Sequence, residues 1–137
     1  MSWARLAGLA GIFVVMALSP AWSDTREVSG NDLARLLTGN SIDGNWGETH
    51  YIQYFAESGR TLYKADGSPG NWGTWRINDE GYYCSTWRGG EENCYLVVDI
   101  DGAFFWQSTD GQKTYPFDII KGDATQSDAT EADVTDQ

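Results

Sequence analysis

The sequence predicts an all-β fold, namely a small up-and-down antiparallel β-barrel of about eight strands with a short helix before it. Three observations favour this fold. After Asn40 the chain consists of short segments separated by turn residues. An open sheet of that size would expose two edges, whereas a closed sheet pairs both edges and encloses its inward faces. Cys84 and Cys94 lie at equal distances from Gly89, as opposed residues of one hairpin would. A two-sheet β-sandwich is the alternative.

Residues 1–23 have the pattern of a secretory signal peptide. Arg5 precedes an apolar run of thirteen residues, Leu6 to Leu18, and the small-residue site around Ser23 predicts cleavage before Asp24. Thirteen residues in a helix reach only ~20 Å, which is less than the ~30 Å of a hydrocarbon core. We therefore expect a periplasmic or secreted protein that is not stably inserted in a membrane after cleavage.

The chain is strongly acidic, and cleavage would make it more so. Removal of Arg5 leaves eight basic against twenty acidic residues, so the formal charge changes from -11 to -12. Such a chain should repel nucleic acids and anionic membranes, whereas a cationic protein is a permitted partner. Residues 122–137 hold five acids and no base, and they predict a disordered acidic tail. The folded domain is accordingly predicted to span residues 24–121.

The first predicted element is a helix that starts at Ser29. The Ser29 hydroxyl is expected to cap the free amides, with Asp32 completing a pair that resembles a capping box. Three leucines then share one face, and Gly39 supplies a left-handed stop. This helix is too short to persist alone, so it is expected to cover one end of the barrel with its apolar face. The leucines are Leu33, Leu36 and Leu37.

The strands follow in a meander, with a turn between each pair. Every turn contains a residue suited to a positive φ angle. The expected strands are 40–46, 50–55, 60–64, 72–77, 82–87, 93–98, 103–108 and 113–120. In an exported chain, an even cysteine count favours a disulfide over a metal site. A Cys84–Cys94 bridge would close a small loop and stabilise the fold by roughly 2 to 3 kcal/mol.

The tetrapeptide GNWG occurs twice, at 44–47 and at 70–73. Glycine next to tryptophan in a strand allows an indole to lie across a neighbouring backbone where a Cβ atom would collide. The tryptophans are therefore expected to fill or rim a narrow barrel, and an aromatic mouth could also stack a planar molecule or a sugar ring. The candidate ligand-binding residues are Trp46, Trp72, Trp75, Trp87, Trp106 and Tyr54.

Two resemblances follow from these residues. Gly44-Asn45-Trp46 after a short helix resembles the Gly-x-Trp opening of lipocalins and their calycin relatives, and this implies a ligand-holding up-and-down barrel. The chain is also similar to a family of small exported bacterial proteins of unknown function. The matching residues are Leu36 to Asn40, Tyr54-Phe55, Gly73-Thr74-Trp75, Cys84, Trp87 and Cys94. That likeness implies export and a shared scaffold, without an activity.

The sequence contains no recognisable catalytic motif. The single histidine, His50, lacks the neighbours that a general base or a metal ligand needs, and it is interpreted as a surface or rim residue. The stretch 99–102 is interpreted as a hairpin turn rather than a calcium loop. No catalytic residue, metal or cofactor is therefore predicted.

A non-catalytic binding protein for a small apolar or aromatic molecule or a saccharide is the favoured function. An inhibitor or interaction module for a cationic secreted enzyme, such as lysozyme or a protease, is the alternative. An enzyme is the third hypothesis, because it would need a buried polar site that no motif indicates.

Overall fold

A computed structural model describes residues 11–12, 14–16 and 24–126. Within these residues the chain forms nine strands and one helix. They are β1 (Thr25–Val28), α1 (Gly30–Leu37), β2 (Asn40–Trp46), β3 (Thr49–Phe55), β4 (Arg60–Ala65), β5 (Asn71–Ile77), β6 (Tyr83–Trp87), β7 (Asn93–Ile100), β8 (Ala103–Ser108) and β9 (Thr114–Lys121). The predicted cleavage site lies outside the described residues, as does the segment 127–137. No helix in the described part of the chain is long and apolar enough to cross a membrane.

Strands β2 to β9 form a closed antiparallel barrel. Each strand pairs with the next one along the chain, and β9 pairs with β2 to complete the circle. The inward faces of the strands meet in one core, which contains Tyr51, Phe55 and Trp106. The predicted eight-stranded up-and-down barrel is thus confirmed, and each predicted strand corresponds to one of β2 to β9.

The ninth strand, β1, was not predicted. It pairs with the second half of β7, from Val28 opposite Val97 to Thr25 opposite Ile100. Strand β6 is shorter than β7 and pairs only with residues 93–95, so β1 takes the place that β6 leaves open. Three of its four residues are exposed, and so it lacks the alternating apolar pattern that indicates a strand.

Helix α1 packs across the end of the barrel where β2 begins. Leu33 and Leu37 are fully buried in the barrel core, as the leucine pattern predicted. Gly39 has a φ angle of +74°, and its N–H donates to the carbonyl of Phe55 at 2.7 Å, which confirms the predicted stop. The helix therefore covers this end of the barrel.

The predicted cap of this helix is wrong. Ser29 occupies the N-cap position, but its hydroxyl makes no capping hydrogen bond. The amide of Gly30 instead donates to the carbonyl of Gly81 at 3.0 Å, in the β5–β6 turn. Asp32 forms an ion pair with Arg35 at 2.6 Å rather than a capping box. A tertiary contact therefore replaces the local cap that the sequence suggested.

Each GNWG segment contains one glycine that lies beneath an aromatic ring. Gly44 is opposite Tyr51 in the β2–β3 register, and a Cβ atom on it would lie 2.8 Å from the Tyr51 hydroxyl oxygen. Gly73 is opposite Trp87 in the β5–β6 register, and a Cβ atom there would lie 2.6 Å from Trp87 Cε3. An indole lies over the glycine at Gly73, as predicted, whereas the ring over Gly44 is the phenol of Tyr51. The rings belong to the facing strand rather than to the tryptophan of the motif.

The Cys84–Cys94 disulfide is present, and the two cysteines are directly opposite on β6 and β7, as predicted.

After β9, residues 122–126 lie against the barrel. The hydroxyl of Ser41 donates to the carbonyl of Gly122 and accepts the amide of Ala124, and Thr125 is buried. The packed domain thus extends past Lys121, where its end was predicted, because the buried Ser41 hydroxyl finds its partners in residues 122–124.

Candidate functional site

A cavity of about 300 Å³ lies at the open end of the barrel, opposite α1. Its lining residues come from the ends of strands that meet at this rim, and from inward positions one or two layers deeper. Four residues form the floor: Gln53, Tyr83, Ser85 and Trp106. Six residues form the rim: Trp46, Tyr63, Asn71, Trp87, Asn93 and Tyr95. The volume lies at the small end of the range for ligand pockets in proteins.

The floor of the cavity consists of buried side chains, both polar and aromatic. Its four side chains are between 1% and 5% exposed. The Gln53 amide donates to Thr61 Oγ1 at 2.9 Å and to the Tyr83 hydroxyl at 3.0 Å. The Ser85 hydroxyl also hydrogen-bonds Tyr83. Because these groups hold one another in place, the floor presents a fixed polar surface to anything in the cavity.

A run of aromatic rings connects the floor to the rim. The Trp106 indole N–H donates to the Tyr51 hydroxyl at 3.0 Å, and its ring centroid lies 4.7 Å from that of Tyr83. Tyr51 stacks on Trp46 on one side and on Tyr63 on the other, with centroid distances of 5.6 and 4.9 Å. These contacts orient the rim rings before any ligand arrives.

The rim combines aromatic faces with two amides. Trp46 and Tyr95 meet at 5.5 Å on one side of the opening, and Tyr63 and Trp87 meet at 6.0 Å on another. All four rings are partly exposed, and Asn71 and Asn93 are exposed. None of the ten lining residues carries a formal charge. The cavity is therefore a neutral site in an acidic protein.

Burial keeps the phenols of this site protonated. It raises the pKa of Tyr83 to about 12, and the hydrogen bonds from Ser85 and Gln53 oppose that rise only in part. Burial also raises the pKa of Tyr51, Tyr63 and Tyr95 above the ordinary value for tyrosine. At physiological pH all four phenols are neutral, so they offer hydroxyl donors and no negative charge.

The candidate ligand-binding residues fall into two groups. Trp46, Trp87 and Trp106 meet in the cavity. The other three lie elsewhere. Trp75 donates to the carbonyl of Ala56 in the β3–β4 turn, at the α1 end of the barrel. Trp72 faces outward beneath Arg60, and Tyr54 lies on the outer face of β3 between two inward residues. Gln53 and Ser85 were not predicted, although each is a polar residue at an inward position of its strand. Five further lining residues were also missed: Tyr63, Asn71, Tyr83, Asn93 and Tyr95.

His50 lies on the outside of the barrel and does not line the cavity. Its Nδ1 and Nε2 atoms lie 2.7 Å from carboxylate oxygens of Asp66 and Asp43. A carboxylate can only accept, so both contacts are hydrogen bonds when the imidazole is protonated on both nitrogens, and this favours the charged form of His50. The hydrogen bond with Asp66 is the largest cause of a raised His50 pKa, and that with Asp43 is the next. The arrangement is a clamp that joins β2, β3 and the turn after β4, rather than a base beside a nucleophile.

Within the described residues, one group has the spacing of a metal site: Cys84, Glu92 and Cys94. The two sulfur atoms are bonded to each other, and Glu92 binds the guanidinium of Arg76 through both carboxylate oxygens at 2.7 and 2.8 Å. Neither thiolate nor free carboxylate is available there, so this group does not offer metal ligands.

Comparison of the chain with protein-family models, with curated proteins and with solved structures finds no match.

Proposed function

We propose that this protein is an exported, non-catalytic binding protein that holds a small neutral ligand in the open end of its barrel. A saccharide is the favoured ligand class, and a small apolar or aromatic molecule is the alternative. The observation that carries the proposal is the composition of the cavity: aromatic faces, amides and hydroxyls, with no charged side chain.

The aromatic faces suit a ring-shaped ligand. Trp46 and Trp87 are partly exposed at the rim, and their neighbouring rings restrict how they can turn. An indole face attracts the C–H face of a sugar or the face of another aromatic ring through dispersion and removal of apolar surface from water. Both ligand classes can use this part of the site.

The polar groups favour the saccharide. Asn71 and Asn93 stand at the rim, where each amide offers both donors and an acceptor to hydroxyl groups. Ser85 and the neutral phenol of Tyr83 offer further hydroxyls at the floor. A sugar can pair with the two rim amides as it loses water, whereas an apolar ligand would cover these amides without pairing them and would bind more weakly for that reason.

Export is part of the proposal. It is supported by the signal-peptide pattern of residues 1–23, and the Cys84–Cys94 disulfide is compatible with an oxidising compartment.

Binding to a cationic secreted enzyme is the second candidate function. It is supported by the formal charge of -12 that the chain would carry after cleavage. Pull-down with lysozyme tests this candidate, and an interaction lost at moderate salt would indicate unspecific charge attraction.

The test uses the protein from Asp24 and a panel of neutral saccharides and small aromatic compounds, with intrinsic tryptophan fluorescence as the readout. We expect one class to bind saturably. Trp87→Leu and Asn93→Ala should each weaken that binding about tenfold or more, whereas Trp72→Phe, on the outer face, should not change it. Absence of binding across the panel would contradict the proposal, as would equal losses in Trp72→Phe and Trp87→Leu.

A further inference from the structure

A second concave surface lies on the outside of the barrel, over β4, β5 and β6. It has a volume of about 440 Å³, and five of its side chains carry its chemistry: Arg60, Trp72, Thr74, Thr86 and Arg88. We call it the arginine groove. None of its lining residues is acidic, although acids outnumber bases by 20 to 9 in the chain. Every polar side chain in the arginine groove can donate a hydrogen bond.

The two arginines of this groove differ from the others in residues 24–126. The other three form ion pairs: Arg26 with Asp99 at 3.3 Å, Arg35 with Asp32 at 2.6 Å, and Arg76 with Glu92 at 2.7 Å. Arg60 and Arg88 form no ion pair with any described residue. Two guanidinium groups thus share one concave surface without a carboxylate, in a chain that has carboxylates in excess.

The contact between Arg60 and Trp72 prepares one guanidinium for an anion. The Arg60 Cζ atom lies 4.4 Å from the centroid of the indole ring. A guanidinium that lies over an aromatic ring uses its face for that contact, and its N–H groups at the edge remain able to bind an oxyanion in a fork. Thr74 and Thr86 are directly opposite each other in the β5–β6 register and bring two hydroxyls to the same surface.

We propose that the arginine groove is an oxyanion-binding site, which takes a carboxylate, sulfate or phosphate group of a small molecule. Two guanidinium groups without an ion-pair partner among residues 24–126 match such a group in charge and in hydrogen-bond geometry. The overall negative charge of the protein repels polyanions, so the ligand carries a single oxyanion group. The site is separate from the cavity at the open end, although Trp87 borders both.

Nuclear magnetic resonance of the protein from Asp24 tests this proposal. Acetate, sulfate and inorganic phosphate are titrated at constant ionic strength, with chloride as the balancing ion. We expect saturable shifts of the Arg60 and Arg88 side-chain N–H signals and of the Trp72 indole N–H signal. The anion that binds most tightly identifies the chemical class of the ligand.

Variants separate specific binding from charge attraction. Arg60→Ala and Arg88→Ala should each weaken binding about tenfold or more, and Arg60→Lys should also weaken it, because the charge remains while the fork is lost. Arg35→Ala removes the same charge from the helix and should leave the affinity unchanged. The proposal is overturned when the shifts stay linear and equal to those in chloride alone, or when Arg35→Ala weakens binding as much as Arg60→Ala. Since the readout is at Arg60, Arg88 and Trp72, its failure is distinct from failure of ligand binding at the open end.

Discussion

Replacement of Gly73 by alanine should destabilise the barrel and disturb the open cavity at once. The added Cβ atom would lie 2.6 Å from Trp87 Cε3 and 2.7 Å from the backbone carbonyl oxygen of Thr86. Carbon atoms at optimal contact are ~3.5–4.0 Å apart, so the Trp87 ring would have to move by about 1 Å. The ring cannot relieve the second contact, because the carbonyl belongs to the β6 backbone.

The size of the effect follows from two opposing terms. Overpacking typically costs ~1–3 kcal/mol. Replacing glycine by alanine regains ~0.4–1 kcal/mol, since the unfolded chain loses freedom. The two ranges leave a net loss in the free energy of unfolding of about 0–2.6 kcal/mol. The contact with the β6 backbone places the loss in the upper half, about 1.3–2.6 kcal/mol, which lowers the Tm of a domain of this size by about 5–21 °C.

Differential scanning calorimetry of Gly73→Ala and Gly90→Ala measures this loss against a matched control. Gly90 lies in the turn between β6 and β7, and a Cβ atom on it would come no closer than 3.4 Å, to the Trp87 carbonyl oxygen. Its Tm should stay the same or rise slightly. Equal Tm values for the two variants would refute the view that the Trp87 ring needs a bare backbone beneath it.

Three further predictions concern the Cys84–Cys94 disulfide, the contacts of His50 with two aspartates, and the packing of helix α1. Joint replacement of Cys84 and Cys94 by alanine should lower the free energy of unfolding by about 2–3 kcal/mol in urea titrations, and an unchanged midpoint would show that the bridge adds nothing. The His50 pKa should exceed 6.5 in an NMR titration, and Asp66→Asn should lower it. Because the folded state has the higher pKa, the clamp stabilises the protein below pH 6.5, and this stabilisation is lost as the pH rises through the folded pKa; a measured value at or below 6.5 would contradict the two hydrogen bonds. Leu37→Ala should cost about 2–5 kcal/mol in thermal unfolding, because the side chain is fully buried at the closed end, and a loss below 1 kcal/mol would mean that α1 does not close the barrel.

The barrel could be predicted from the sequence because its information is local. Strand ends coincide with glycine-containing turns, and closure follows from the cost of two exposed edges. Strand β1 could not be found in this way, since its partners on β7 lie 69 to 75 residues away and its exposed side chains carry no pattern. The cap of α1 failed for the same reason, because the acceptor for the Gly30 amide is the distant carbonyl of Gly81.

The site was predicted only in part. Trp46, Trp87 and Trp106 meet in the cavity, as predicted. Trp72 does not, and the sequence already indicated this: Gly73, Trp75 and Ile77 alternate on the inward face of β5, so the residue before Gly73 must face outward. The floor groups come from strands far apart in sequence, so the Gln53–Tyr83 hydrogen bond becomes visible only when the barrel is closed. His50 was predicted to be a surface or rim residue and lies on the outer face, but its two aspartate partners could not be assigned from spacing.

The most direct test of the ligand site follows the five indole N–H signals of the protein from Asp24 while a neutral saccharide is added. The cavity predicts saturable shifts for Trp46, Trp87 and Trp106, with those of Trp72 and Trp75 unchanged. Saturable shifts confined to Trp72, or no shift with any saccharide or aromatic compound, would contradict a ligand site at the open end of the barrel.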